Sequence, residues 1–488
     1  SNPCAKPHGK KLATVKQIAQ YYKRKAYIQL NERGSRSALK GDASQGQYDR
    51  GGKADDFKTK LCEINEKHSN ARSNSLNPCN GKDNNKVRFN VGTPWQSGEK
   101  IATATDVYLP PRRQHFCTSN LEYLINGGHQ AILNVKNGKI NHSFLGDVLL
   151  AAKYQAQHTM KDYKSKNDKE GICRAIRYSF ADIGDIIKGT DLWDKDGGEI
   201  KTQNHLVTIF DKIKAQLPKD IKGKYTGTKH LELRKDWWEA NRDQVWKAMQ
   251  CGNDNPCSGE SDHTPLHDYI PQRLRWMTEW AEWYCKEQSR LYDKLKVCEE
   301  CMRKGESCTK GSGECATCKE ACEEYNKEIK KWEQQWDAIS YKYLMLYAKA
   351  RITAINGGPG YYNTEVQEED KPVVDFLYNL YLQNGGKKGP PPDTHRVKAL
   401  IARVKRDAAR NRVKRADGSS ATRVTATTTI TPYSTAAGYI HQEAHIGDCQ
   451  KQTQFCKNKN GSDVSDTEAD PTYAFRDKPH DHDTACKC

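Results

Sequence analysis

Between Pro271 and Ala350 apolar side chains recur at alternating gaps of three and four. Leu274, Met277, Ala281, Tyr284, Leu291, Leu295 and Cys298 form one series, with Gln288 filling its single polar place. Tyr325, Ile329, Trp332, Trp336, Ile339, Tyr343, Leu346 and Ala350 form a second, unbroken one. Such spacing keeps a narrow apolar stripe on each of two long helices, the pattern by which helices lie side by side. The segment between them holds Cys301, Cys308, Cys315 and Cys318, with Cys298 and Cys322 at its edges. It is short enough to return the second helix antiparallel to the first. The expectation is a helical hairpin with a cysteine-stapled tip, and with Trp332 and Trp336 buried against the first helix.

The remaining cysteines are Cys4, Cys62, Cys79, Cys117, Cys173, Cys251, Cys257, Cys285, Cys449, Cys456, Cys486 and Cys488, which makes 18 in 488 residues. An even and dense set implies disulfides in an oxidising, extracellular or cell-surface setting, with the pairing left open. No run approaches 18 apolar residues, so no membrane insertion is expected from this chain. Residues 1–11 are polar and basic without an apolar signal core, so targeting is expected to lie outside the chain or to be unconventional.

Helical periodicity recurs elsewhere. It predicts helices over Lys11–Leu30, Phe144–Gln157, Ile172–Ile187, Leu206–Leu217, Leu231–Cys251, Asp370–Leu382 and His395–Arg415. Residues 61–116 are rich in Asn, Gly and Pro and read as loops pinned by Cys62 and Cys79, and Ala416–Gly438 reads as a mobile Thr/Ser/Ala-rich surface loop. With no strand alternation, the fold class is all-α. Four parts are expected: a basic N-terminal segment (1–60), a loop-rich subdomain (61–116), a helical bundle (117–265) and the helical hairpin (266–488).

Five blocks carry a family resemblance: Leu109-Pro-Pro-Arg-Arg-Gln-His-Phe-Cys117, Phe144–Tyr154, Ile172–Phe180, Leu233–Trp246 and Pro271–Trp280. In this order they resemble a disulfide-rich Duffy-binding-like domain, and together with Ala38–Asp42 they look like the alpha-type domain and N-terminal segment of the Plasmodium falciparum erythrocyte membrane protein 1 family. The resemblance implies an all-helical adhesin domain of three subdomains on the infected red-cell surface, with its transmembrane segment downstream.

Charge is concentrated. Residues 1–60 carry a surplus of 9 positive charges and residues 396–415 a surplus of 8, which together equal the net +17. The rest of the chain is neutral. Like charges this close repel one another unless an anion is present. Lys10, Lys11, Lys16, Lys23, Arg24, Lys25, Arg33 and Arg36, with Arg396, Lys398, Arg403, Lys405, Arg406, Arg410, Arg412, Lys414 and Arg415, are therefore the candidate polyanion site. Arginine forks suit sulfate and carboxylate groups, and outside a cell the common polyanions are sulfated glycosaminoglycans, so no nucleic acid partner is expected. Trp283 is a candidate for stacking on a neutral sugar.

Other chemistry is weighed against these. Cys298-x-x-Cys301 and Cys315-x-x-Cys318 have a zinc-like spacing, but the interleaved Cys308 and Cys322 favour disulfides over metal. His480 and His482 with Cys486 and Cys488, and His441 with His445, read as surface histidines beside disulfides. No nucleophile elbow or phosphate loop is present, so neither catalytic residues nor a cofactor is expected. The reading is a non-enzymatic adhesin binding erythrocyte surface glycans, heparin-like chains and blood-group sugars included, in rosetting or cytoadhesion. The alternative is a module for a protein receptor such as a complement-regulatory glycoprotein.

Overall fold

The computed structural model describes residues 11–82, 86–165, 167–257, 263–305, 313–359, 366–389, 399, 402–403, 406, 431–447, 449, 452, 454–457 and 473–487. Among them, helices and turns make up the structure, with two isolated antiparallel bridges, Gln96–Leu109 and Asn126–His129. The helices of eight or more residues are α1 (Val15–Glu32), α2 (Ile140–Asp162), α3 (Lys169–Lys188), α4 (Gly197–Ala215), α5 (Leu231–Met249), α6 (Gln272–Lys294), α7 (Glu314–Ile355), α8 (Lys371–Gln383) and α9 (Ala436–Glu443). The all-α expectation holds, and so does each expected helix apart from His395–Arg415, most of which lies outside the described residues. Among the described residues no helix is long and apolar enough to cross a membrane.

The chain divides into two compact units. One is Ala19–Arg275, and the other combines Ser1–Ile18 with Trp276–Cys488.

In the first unit, α2, α3 and α5 pack around Phe144, Phe180, Phe210, Trp237, Trp238 and Trp246, all buried. Phe144 touches both Phe210 and Trp237, while Phe180 touches Trp238 and Trp246, at ring separations of 5.0–5.6 Å. The helix ends are specified locally. Asp168 accepts a hydrogen bond from the Gly171 amide and Asp196 from the Gly198 amide, satisfying donors that a helix start leaves open. At the other end of α3 the backbone turns left-handed at Gly189 (φ 76°). The buried Arg234 guanidinium donates to the carbonyls of Ile186 and Ile187, the groups a helix end leaves unsatisfied. Loops 61–116 are short turns tied down by Cys62–Cys251 and Cys79–Cys117, and Cys173–Cys257 fastens α3 to the segment after α5.

In the second unit the hairpin forms as its spacing predicts. Trp332 and Trp336 are buried, and both rings lie against Trp280 of α6 at 5.4 and 5.7 Å. Ile339 is the exception, only half-buried, while Ser340 is buried instead. A straight helix drifts against a strict three-four repeat, so over 42 residues the buried stripe moves on to Tyr343, Tyr347, Ala350 and Ala354. The shifted stripe receives α8 and α9. Tyr347 meets Tyr381 edge-on, and the Tyr343 hydroxyl donates to the Tyr433 carbonyl at 2.7 Å.

Two expectations need correction. Lys11–Thr14 are not helical, because α1 starts at Val15. The end of the expected mobile loop is ordered: Pro432, Tyr433 and Ala436–Ile440 are buried around α9. Thr435 caps that helix by accepting from the Gly438 amide. Gly438 is required there, since a Cβ would fall 1.7 Å from the Pro432 carbonyl oxygen.

The staples are disulfides, not a metal centre. Cys298–Cys318, Cys301–Cys315, Cys322–Cys486 and Cys285–Cys449 are bonded, and Cys456 is also in a disulfide. No described cysteine is free. Cys4, Cys308 and Cys488 lie outside the described residues.

Candidate functional site

The predicted cations do not share one environment. Lys11, Lys16, Lys23, Arg24 and Lys25 are exposed, and none of them forms an ion pair among the described residues. Those on α1 share its surface with Tyr21, Tyr27 and Ile28, each 46–48% exposed. Arg36 stacks on Tyr27, its guanidinium carbon 4.8 Å from the ring centre. Arg33 is a correction, because it is spent internally on Asp236 at 2.9 Å and Glu232 at 3.0 Å. Arg403 and Arg406 are exposed, and Arg406 donates to the Ala402 carbonyl at 3.2 Å. Lys10, Arg396, Lys398, Lys405, Arg410, Arg412, Lys414 and Arg415 lie outside the described residues.

The start of the arm is fixed by two polar clamps within the hairpin unit. Asn384, at the end of α8, accepts from the Ala13 amide at 2.9 Å and donates to its carbonyl at 3.2 Å. Glu443 of α9 accepts from the Val15 amide at 3.3 Å and from the Tyr433 hydroxyl at 2.7 Å. Burial raises the Glu443 pKa, and its two donors only partly oppose that. A carboxylate at the first residue of α1 also meets the positive end of that helix.

Trp283 is half-buried, with the Lys286 ammonium 6.0 Å from its ring centre. His441 is half-buried rather than on the open surface, accepts from the Phe455 amide at 3.2 Å, and burial lowers its pKa to about 4. His480 pairs with Asp481 at 2.9 Å, and Cys486 nearby is bonded to Cys322.

The strongest electrostatic feature was not legible as a site. Arg112 and Arg113, from the Leu109–Cys117 block, are at most 1% exposed. Arg112 donates to Asp182 at 2.6 Å and to Ser179 at 3.1 Å, and Arg113 to Asp191 at 2.6 Å and Glu199 at 2.9 Å. Arg275 pairs with Asp182 and Asp185, and the Gln272 amide bridges Asp182 and Asp191 at 3.1 and 2.6 Å. Burial pushes Asp182 up, but Arg112 and Arg275 outweigh it and hold the carboxyl at about 2. Asp191 goes the other way: burial and then the Glu199 charge raise it against Arg113. Buried among carboxylates of the same unit, these side chains form a lattice that organises the fold.

Comparison with known proteins bears on which surface matters. Residues 106–275 match the Duffy binding domain family. Two curated Duffy receptors, the beta form of Plasmodium knowlesi and that of Plasmodium vivax, are each 28% identical over 56% and 57% of this chain. The chain spans only 22% and 24% of their lengths. Among solved structures, a DBLb domain of PfEMP1 bound to human ICAM-1 is 89% identical, with all of both chains covered and a TM-score of 0.85. The ICAM-1-binding PfEMP1 IT4var13 DBLbeta domain is 42% identical over 98% of this chain and 99% of that one, with a TM-score of 0.77. The alpha-1 domain of the Plasmodium falciparum varO strain reaches 26%, covers 77% and 88%, and scores 0.52. The alpha-type expectation is therefore overturned, because the identity lies with the beta domains. The chain belongs to the Duffy-binding-like domains of Plasmodium falciparum membrane protein 1, PfEMP1.

Proposed function

We propose that this domain is a non-enzymatic adhesin module, displayed outside the cell on a larger protein, whose principal partner is a host protein receptor, ICAM-1. The observation that carries this reading is the 89% identity over the whole of both chains to a PfEMP1 domain bound to human ICAM-1. A second ICAM-1-binding domain, 42% identical over nearly its full length, supports it. Exposure to an oxidising medium suits the disulfide-bonded cysteines. The protein-receptor alternative thus stands ahead of the glycan reading. The test is surface plasmon resonance of this chain over immobilised ICAM-1 ectodomain, with and without excess heparin and across a salt series. Saturable binding that heparin does not displace is expected, with only shallow salt dependence. Absence of binding, or full displacement by heparin, overturns the reading.

A second reading keeps sulfated glycosaminoglycan, and with it rosetting, as an additional interaction. It is favoured by the unpaired Lys16, Lys23, Arg24 and Lys25 on the exposed arm. Retention on heparin that survives the triple change K23E/R24E/K25E with an unaltered salt slope overturns it for this arm.

A further inference from the structure

Three sulfurs near the hairpin tip sit closer together than their own pairing requires. Cys298 is bonded to Cys318, and Cys322 to Cys486. Yet the Sγ atoms of Cys318 and Cys322 are 3.9 Å apart, and those of Cys298, Cys318 and Cys322 all lie within 4.8 Å of one another. Of these cysteines Cys486 is the most accessible, at 8% exposure, while Cys298 and Cys318 are at 0%. Exchange proceeds by attack of a thiolate on a disulfide sulfur. Its course therefore depends on which sulfur an outside thiol reaches first, and on which disulfide lies beside the thiolate that is released.

We propose that these cysteines form a thiol–disulfide exchange site for dithiol reductants, in which opening of Cys322–Cys486 is passed on to Cys298–Cys318. A thiolate of the reductant attacks Cys486 Sγ, forming a mixed disulfide and releasing the Cys322 thiolate. That thiolate attacks Cys298 Sγ; the Cys298–Cys322 bond forms as the Cys318 thiolate leaves and takes up a proton. The second thiol of the reductant then attacks its own sulfur in the mixed disulfide and releases Cys486. The reductant becomes a disulfide, and in the protein one disulfide and two thiols, Cys318 and Cys486, replace two disulfides.

The choice of Cys298 over Cys318 as target follows from helix geometry. Cys318 and Cys322 are four residues apart on α7, where Cβ atoms stand about 5–6 Å apart. A disulfide needs about 3.5–4.5 Å. Cys298 lies before the tip, outside α7, and carries no such restriction. The hairpin therefore stays stapled, through Cys298–Cys322 and the untouched Cys301–Cys315, while Cys486 is released from α7. Simple reduction would leave Cys322 and Cys486 side by side, ready to close again. The relay removes Cys322 from that equilibrium and makes the release of the tail persistent.

The test is graded dithiothreitol on the folded full chain, followed by alkylation and disulfide mapping by mass spectrometry. Within the hairpin tip, the first thiols to appear are expected to be Cys486 with Cys318, together with a peptide linking Cys298 to Cys322, while the exposed Cys62 of Cys62–Cys251 and the half-buried Cys449 of Cys285–Cys449 open independently. Alkylation of Cys486 with Cys322, the Cys298–Cys318 link remaining intact, overturns the proposal. So does reduction of the tip that begins at Cys298–Cys318 or Cys301–Cys315. A C486S variant exposes the same step without reductant: its free thiol is expected at Cys318, and a free thiol at Cys322 overturns the relay. Should C486S fail to fold, the titration of the unmodified chain decides alone.

Discussion

The Ala19–Arg275 unit and the hairpin unit are built from the same helix, yet they bury different chemistry. The first encloses three arginines and four acidic side chains, tied by Gln272 and Ser179. The second encloses a cluster of aromatics, Trp280, Tyr284, Trp332, Trp336, Phe455 and Phe475, together with its disulfides. A buried ion-pair lattice is weak evidence for net stability but cannot lose one member cheaply. An aromatic core tolerates pH and fails by cavity formation. The first unit is thus vulnerable to single-charge deletions and to pH, and the second to truncation and to reductants.

The largest expected effect comes from R113A, which leaves Asp191 and Glu199 buried without a cation and costs about 3–5 kcal/mol in denaturant unfolding. If R113A unfolds at the same midpoint as the unmodified chain, the lattice carries no weight and the contrast collapses. W336A should cost a comparable amount, about 3–5 kcal/mol, in the other unit, and its loss should not change with pH. Removing Cys301–Cys315 by a double serine change comes next, at about 3 kcal/mol for a loop of this length. It should leave near-ultraviolet signals of the first unit intact.

A smaller effect sharpens the pH side. Asp147 is buried and accepts from Ser69 Oγ, the Asn70 amide and Asn120 Nδ2, yet burial outweighs these bonds and pushes it up to about 6. A carboxyl raised in the folded state favours folding fully below its ordinary 3.8 and loses that contribution as pH rises through about 6. Asp182, held down at about 2, works oppositely, stabilising above 3.8 and failing as pH falls through about 2. Melting temperatures of D147N between pH 4 and 7 should therefore decline less with rising pH than those of the unmodified chain. An identical slope would remove Asp147 from the account. Smallest of all, K23E/R24E/K25E should shift stability by no more than about 0.5 kcal/mol per position. A cooperative loss of structure in that variant would mean that the arm's cations support the fold after all.

What could be read in the sequence follows from what repeats in it. The hairpin stripe announces itself because each buried residue has a neighbour three or four places away, and it fails only at Ile339, where helical drift takes over. Phe455 and Phe475 carry no such signal, since their partner Trp336 is more than a hundred residues away in the chain. Arg112 and Arg113 look like surface charges for the same reason: their carboxylates arrive from α3, the turn after it, and α4. Arg33 was counted among exposed cations because nothing near it in sequence foretells Asp236. Charge arithmetic located the surplus correctly, but it could not tell a free cation from a committed one, nor a glycan from a protein as the partner.

The clamps on Ala13 and Val15 have a consequence for biosynthesis. Their partners, Asn384 and Glu443, lie 371 and 428 residues further along the chain. During vectorial translation, the stretch from Ala19 to Arg275 emerges before α8 and α9, and Cys62–Cys251, Cys79–Cys117 and Cys173–Cys257 close entirely within it. Segments that are complete early fold early. Ala13 and Val15, although made before that stretch, must wait for α8 and α9 before their docking site exists, as Cys285 and Cys322 must wait for Cys449 and Cys486. Ala13 and Val15 are thus translated before the Ala19–Arg275 stretch yet docked after it.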